Sequence, residues 1–295
     1  MPGHVPVLLN EAMAMLLRKE DGFYIDATFG AGGYTKKILQ SIPNSFVLGI
    51  DQDQNLVSFV REIQQLAPAR FKFVNENNAN LKNIVASYEI KQIDGIIFDL
   101  GVSSMQLEAS DRGFSFNLDG PLDMRMSDRG ISALEVVNTY TEAQLADIIY
   151  HYGEERKAKK IAKAIVNERI NRQIASTKQF ADIVKSVINS YKGINPATKT
   201  FQALRIFVNN ELENLEVALR SAIELLSVKG SLIVVAFHSL EDRIVKHLFK
   251  YFALQRSGEK QFRLINKKPI TPEAEELAFN HRARSAKLRG LVREF

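Results

Sequence analysis

A chain of 295 residues, 45% of them hydrophobic, can bury a full core and has room for one large domain or for a domain carrying an insertion. It contains no cysteine, which excludes disulfides, a thiolate nucleophile and cysteine-ligated zinc. No apolar run approaches the ~20 residues of a membrane span, and the opening MPGHVPVLLNEAM lacks the basic-then-apolar order of a signal peptide, so a cytoplasmic protein without membrane contact is expected.

In chain order, the first informative stretch is Tyr24 to Thr35, YIDATFGAGGYT, where an apolar strand runs into an acidic residue and then a glycine-rich turn that opens a helix. Gly30, Gly32 and Gly33 let the backbone take positive φ and approach a ligand closely. A second strand, FVLGIDQD at Phe46 to Asp53, ends in Asp51, twenty-one positions past Gly30, about where dinucleotide-type folds place the carboxylate that binds ribose hydroxyls. After a strand near Phe71, the run DGIIFDLGVSS at Asp94 to Ser104 brings Asp99 to the same carboxyl edge of the sheet. Helices are expected near Tyr34 to Gln40, Leu56 to Leu66 and Leu81 to Tyr88, and this alternation predicts a parallel sheet covered on both faces. The strand GSLIVVAF at Gly230 to Phe237 resumes the pattern after a long interval, so something is inserted.

The intervening segment reads as helical, with no convincing strand. Thr141 with Gln144, and Ser176 with Gln179, form capping boxes ahead of the apolar stripes Leu145, Ile148, Ile149, Tyr152 and Phe180, Ile183, Val184, Val187. Between them, Arg156 to Arg172 holds seven Lys or Arg against the single Glu168. Ala158, Ile161, Ala162 and Ile165 give this helix a buried side, which leaves Lys159, Lys160 and Lys163 exposed. A turn-rich stretch, YKGINPATK from Tyr191 to Lys199, leads back to the sheet. A second basic segment, Arg256 to Phe295, carries ten Lys or Arg against five Glu, so the net charge of +5 is unevenly spread. Such stripes are commonly solvated faces, yet two of them beside a cofactor domain favour a polyanionic substrate, in which Lys and Arg meet phosphates.

In FHSLEDR, Ser239 with Asp242 reads as a helix N-cap rather than part of a Ser-His-Asp triad, and His238 at the strand end is a candidate to contact substrate or accept a proton. His4, His151, His247 and His281 lack metal-ligand spacing, and Asp119, Asp123 and Asp128 fit no calcium loop, so no metal is expected.

The glycine turn reads G-A-G-G-Y-T, with Thr35 where a dinucleotide fingerprint needs its third glycine and without the Lys-Ser/Thr ending of a P-loop. A phosphate-free adenosine ligand fits better. S-adenosylmethionine calls for backbone contact, a ribose carboxylate and acidic groups for its positive charges, all of which are present. A nicotinamide oxidoreductase on the same sheet, a ribosome-associated binding protein without catalysis, and a methyltransferase acting on another acceptor remain alternatives.

With those residues in place, the chain resembles the RsmH (MraW) family of methyltransferases over nearly its full length. The likeness rests on HVPVLLNEA at His4 to Ala12, DLGVSSMQL at Asp99 to Leu107, RGFSFNLDGPLDMRM at Arg112 to Met126, TFQALRIFVNNEL at Thr200 to Leu212, FHSLEDRIVK at Phe237 to Lys246 and RARSAKLR at Arg282 to Arg289. The resemblance implies methylation by S-adenosylmethionine of the exocyclic N4 of a cytosine in the decoding region of bacterial 16S ribosomal RNA, with free RNA or the small ribosomal subunit as partner. It implies an α/β fold, a Rossmann-like class I methyltransferase sheet with an inserted all-helical domain. The methyltransferase domain is expected at 1–110 and 206–295, and the insert, for substrate recognition, at 111–205.

The cofactor residues it implies are Gly33, Tyr34, Thr35, Asp51, Asn78, Asp99 and Gln106, beside Gly30 and Gly32 of the turn. The family commonly has histidine where Tyr34 stands and an aromatic residue where Asn78 stands, so adenine is expected to be held at Asn78 by polar contact. Near the C-terminus, His281 replaces the proline that usually precedes RARSAKLR, which reads as a structural change. Asp99 is also the candidate to accept a hydrogen bond from the acceptor amino group and take up developing charge. The D/N-P-P-Y/F motif of many amino-group methyltransferases is replaced by D-L-G-V, so Phe114 or Phe116 is expected to stack on the extruded base, with burial in the insert as the competing fate.

Overall fold

The computed structural model describes residues 6–127, 129–188, 195–255 and 261–295, without the side chains of Ser104 and His281. Expectations placed on His4, Asp128, residues 191–194 and residues 256–260 lie outside the described residues, as does the side chain of His281.

Among the described residues, seven strands form a single sheet: β1 Phe23–Asp26, β2 Phe46–Asp51, β3 Phe71–Asn75, β4 Gly95–Asp99, β5 Ser231–Ala236, β6 Phe262–Leu264 and β7 Lys287–Arg293. The described helices are α1 Leu9–Leu16, α2 Gly33–Ser41, α3 Val57–Leu66, α4 Leu81–Ser87, α5 Ser104–Glu108, α6 Ala133–Thr139, α7 Glu142–Gly153, α8 Ala158–Asn171, α9 Thr177–Val187, α10 Thr198–Asn209, α11 Glu211–Leu225, α12 Ser239–Leu254 and α13 Ala274–Phe279. The chain divides into two compact units, Met1–Gly101 with Leu212–Phe295, and Val102–Glu211.

In the first unit the strand order is β3-β2-β1-β4-β5-β7-β6. Strands β1 to β5 pair in parallel, and β7 runs antiparallel to both β5 and β6. This is the Rossmann-like sheet that the alternation predicts, with its order reversing beside β1, where open α/β sheets bind ligands at the carboxyl ends of their strands. Strand β5 is buried along its whole length, which is why Ser231 to Ala236 reads as a continuous apolar run rather than an alternating one. Ile25, Leu48, Ile96, Phe98, Leu232 and Val234 meet the apolar stripes of α4, α11 and α12 in one cluster. The side chains alternate between faces, so Ser231 and Ile233 point the other way. There α1 packs on β5, and the Ser231 hydroxyl donates to the Leu16 carbonyl at 3.1 Å.

The second unit is helical, its one described pairing of β type being the isolated bridge Pro121–Ser176. Its core joins Val136, Leu145, Ile149, Ile161, Ile165, Phe180, Val184 and Leu204. The Thr141–Gln144 capping box forms in full. At α9 only half of the expected box forms: the Ser176 hydroxyl accepts the Gln179 N–H, but the Gln179 side-chain oxygen Oε1 takes the N–H of Ala175 instead of that of Ser176.

The block Arg112 to Met126 is held by its own polar groups. Arg125 makes a two-pronged pair with Asp123 at 2.9 and 2.7 Å, and Arg112 donates to the carbonyls of Arg125 and Met126. Asn209 bridges Met124 and Met126 through both ends of its amide. A loop of this length would otherwise leave buried backbone groups without partners.

Candidate functional site

The turn between β1 and α2 lies at the carboxyl ends of the parallel strands. Gly30 and Gly32 have φ of +51° and +73°, the left-handed region that a side chain disfavours. Gly33 does not share this conformation. It starts α2, and a Cβ there would lie 2.3 Å from Cγ of Pro6, so the need for glycine at this position is a close approach and not a positive φ. No side chain caps the first turn of α2, whose N-cap is Gly32. That helix end therefore presents its N–H groups and the positive end of its dipole.

Three carboxylates surround the turn, one from each of the adjacent strands β2, β1 and β4. Asp51 ends β2, and its two oxygens accept the N–H groups of Gly30 (2.8 Å) and Asp53 (2.9 Å). This ties the second strand to the glycine turn. Burial raises its pKa to about 6 against the lowering effect of those bonds. Asp26, fully buried at the end of β1, accepts the Thr35 hydroxyl at 2.7 Å and the Thr28 N–H at 3.4 Å, and burial raises it also to about 6. Asp99 ends β4. Its N–H donates to the Thr28 hydroxyl at 2.6 Å, while its Oδ1 is sealed from solvent without a hydrogen-bond partner. Burial, then Asp26, then Glu241, push the Asp99 carboxyl well above the usual carboxylate range.

Among the described residues, none of these three carboxylates has a Lys or Arg partner. Asp26 was visible in the sequence as the acidic residue ahead of the turn, but its part in the site was missed; the signal was its position at a strand end four residues before Gly30.

Other expected residues are placed as follows. Thr35 is fully buried, with its hydroxyl engaged by Asp26. Tyr34 is buried, its hydroxyl donates to the Val7 carbonyl, and burial beside Asp99 and Asp26 holds its pKa well above the ordinary value. Asn78 is half-buried and donates from its amide nitrogen to the Ala27 carbonyl at 3.1 Å, which locks it beneath the β1 turn. Gln106 belongs to the helical unit, where its amide oxygen accepts the Ser103 N–H in the capping box of α5.

Two expectations need correction. The cap of α12 is His238 with Glu241, not Ser239 with Asp242: His238 Nδ1 accepts the Glu241 N–H, and the Glu241 carboxylate accepts the N–H groups of Phe237 and His238. Asp242 is instead held by Arg289 at 2.7 Å and Lys287 at 3.1 Å, joining α12 to β7. The bulk of the imidazole lets it reach the third N–H as a serine would, a geometry the usual cap preferences do not suggest. Phe114 lies in the core of the helical unit at 5% exposure, under the guanidinium of Arg112, and so is not available to stack on a base. Phe116 is partly buried and meets Phe201 edge to face. On α8, Ala158, Ile161, Ala162 and Ile165 are buried, and Lys159, Lys160 and Lys163 are exposed.

Residues 1–294 of the chain match the family described as the MraW methylase family. It is 50% identical over 292 residues to the ribosomal RNA small subunit methyltransferase H of Wolbachia sp. subsp. Drosophila simulans (strain wRi), covering 98% of this chain and 99% of that protein. It is also 50% identical to the protein of the same name from Neorickettsia sennetsu (strain ATCC VR-367 / Miyayama), covering 97% and 94%. A solved rRNA methylase from Streptococcus thermophilus aligns over 97% of this chain and 93% of its own at a TM-score of 0.44 and 10% identity, too distant to add to these relatives.

Proposed function

Because the chain belongs to the MraW methylase family, we propose that it transfers a methyl group from S-adenosylmethionine to small-subunit ribosomal RNA, at the exocyclic N4 of a cytosine in 16S rRNA. The observation that carries the cofactor reading is the crevice itself: a glycine turn flanked by Asp26, Asp51 and Asp99, none with a basic partner among the described residues. An acidic crevice without a Lys or Arg partner suits a nucleoside that carries positive charge better than a polyphosphate.

In this reading S-adenosylmethionine supplies the methyl group on a sulfonium. Asp51, already fixed by two backbone N–H groups, binds the ribose hydroxyls. The uncapped N-terminus of α2 receives the carboxylate of the amino acid tail. Asn78 holds the adenine side of the pocket by polar contact, its nitrogen being fixed on Ala27. Tyr34 and Thr35 serve by shaping the turn, through Val7 and Asp26, rather than by offering their hydroxyls to the ligand.

Cytosine N4 is a weak nucleophile because its lone pair is delocalised into the ring. Asp99, with an unbonded carboxyl oxygen at a strand end, is placed to accept a hydrogen bond from that amino group and to take up its proton. His238 is less suited to this, since its Nδ1 is committed to the cap of α12 and its Nε2 lies 3.1 Å from the Glu241 carboxylate. Lys159, Lys160 and Lys163 on α8 meet the RNA backbone in this reading, so that the helical unit serves substrate recognition.

The test is transfer of labelled methyl from S-adenosylmethionine to undermodified small ribosomal subunits, to naked 16S RNA and to DNA, with nucleoside mass analysis. N4-methylcytidine from an RNA acceptor is expected. Label in another nucleoside, or in DNA alone, overturns the acceptor; no label despite cofactor binding overturns the catalytic reading.

A further inference from the structure

Asp26, Asp51 and Asp99 end neighbouring strands, yet their surroundings are unequal. Asp51 has two backbone N–H groups and Asp26 a hydroxyl and an N–H, whereas Asp99 Oδ1 has nothing. Thr28 sits between two of them, giving its N–H to Asp26 while its hydroxyl oxygen receives the Asp99 backbone N–H, and Asp99 Oδ1 gains no hydrogen bond from it.

The titratable groups facing Asp99 are Asp26 from β1, Glu241 from the first turn of α12 and Tyr34 from α2, all of them acids. His238, which heads α12, is turned to Glu241 through both ring nitrogens, Nδ1 accepting the Glu241 N–H and Nε2 lying 3.1 Å from its carboxylate. A carboxyl with one oxygen sealed and unbonded among acids is unfavourable as an anion unless a cation arrives or a proton stays on it. Burial beside Asp26 and Glu241 accordingly holds the Asp99 carboxyl well above the usual range.

The two forms of the proposed cofactor differ in one respect that matters here: the methyl donor carries a fixed positive sulfonium, and the product is a neutral thioether. Resting on the cofactor reading above, we propose that Asp99 is a charge sensor whose proton tracks the sulfonium. It holds a proton when the crevice is empty or contains the thioether, and releases it to solvent when a sulfonium nucleoside binds. The step is a simple ionisation in which the carboxyl O–H bond breaks, the electron pair stays on Asp99 and the proton goes to water. After methyl transfer the fixed charge is gone, and Asp99 recovers a proton. The device favours donor over product without a change of shape, since both molecules offer the same adenosine and the same amino acid tail.

Linkage sets the consequence. Below the range in which Asp99 ionises unaided, affinity for S-adenosylmethionine rises by up to tenfold per pH unit, and affinity for S-adenosylhomocysteine does not follow it. The experiment is calorimetric titration of the full chain with each ligand near neutral pH, in buffers of different ionisation enthalpy, so that the protons released are counted directly. Close to one more proton is expected for S-adenosylmethionine than for S-adenosylhomocysteine, and Asp99→Asn should abolish the difference.

Equal proton counts for the two ligands in the wild type overturn the proposal, as does a difference that survives in Asp99→Asn. Should that variant not fold, infrared spectroscopy of the wild type decides. A protonated-carboxyl band that is lost with S-adenosylmethionine and kept with S-adenosylhomocysteine supports the proposal, and a band indifferent to both overturns it. Failure of both ligands to bind the wild type is a separate result, which refutes the cofactor reading and this proposal together.

Discussion

Thr35 shows how a single side chain can serve a ligand site without facing the ligand. Its hydroxyl is the donor to fully buried Asp26, so Thr35→Val leaves a carboxyl with one bond fewer and should destabilise the fold by about 1–3 kcal/mol, while Thr35→Ser should restore most of the loss; chemical denaturation of the three proteins checks this. Gly33→Ala meets Pro6 at 2.3 Å and should weaken cofactor binding in equilibrium titrations more than it lowers the unfolding midpoint, because the segment before α1 must move to make room beside the turn.

The buried aspartates also set a pH dependence. Asp26 and Asp51 have folded pKa values near 6, above the ordinary 3.8, so between about pH 4 and 6 the folded state binds more protons than the unfolded one. Stability from these groups is present at low pH and is lost as pH rises through that window, by on the order of 2–3 kcal/mol for each. Asp26→Asn should therefore gain on the wild type as pH is raised from about 4 to 6, and a constant gap between the two denaturation curves would contradict it.

At the scale of elements, the connection between α12 and the sheet is the instructive case. Asp242, Arg289 and Lys287 form a cluster in which Asp242 and Arg289 are each 9% exposed, joining α12 to the antiparallel strand β7. The same bonds lower the Asp242 pKa, so its stability contribution lies above the unfolded value and is lost in acid, opposite in sign to Asp26. Removing one partner from a buried pair is costlier than the pair is worth, and Arg289→Met should lower stability by roughly 3–5 kcal/mol. The double change Arg289→Met with Asp242→Leu should recover part of it, and a melting series of the single and double variants measures the difference.

For the whole molecule, charge governs the encounter with substrate in the proposed function. Replacing Lys159, Lys160 and Lys163 by alanine removes three exposed charges from α8 without touching its buried side, so the fold and cofactor affinity should be kept. RNA affinity should fall, and the slope of log affinity against log salt should flatten by about two to three units, since each phosphate contact contributes just under one. Filter binding over a salt range reads both quantities, and an unchanged slope would remove α8 from the RNA surface.

Much of the fold was legible in the chain because its signals are local. Strand runs such as FVLGID and SLIVVA are short, apolar and bounded by turn residues, and the helices between them have stripes of period 3.6, so the parallel sheet and the helical insert follow from patterning alone. The glycine turn and the strand-end positions of Asp51 and Asp99 were legible for the same reason: the end of a strand is a position that sequence can mark. Tertiary structure decided what depends on neighbours far along the chain. Only packing against Pro6 explains Gly33, and only the approach of β7 takes Asp242 out of the cap and gives it to Arg289. The burial of Phe114 and the bare oxygen of Asp99 belong to the same class, because an aromatic ring or a carboxylate has no fixed surroundings until the fold has brought distant segments together.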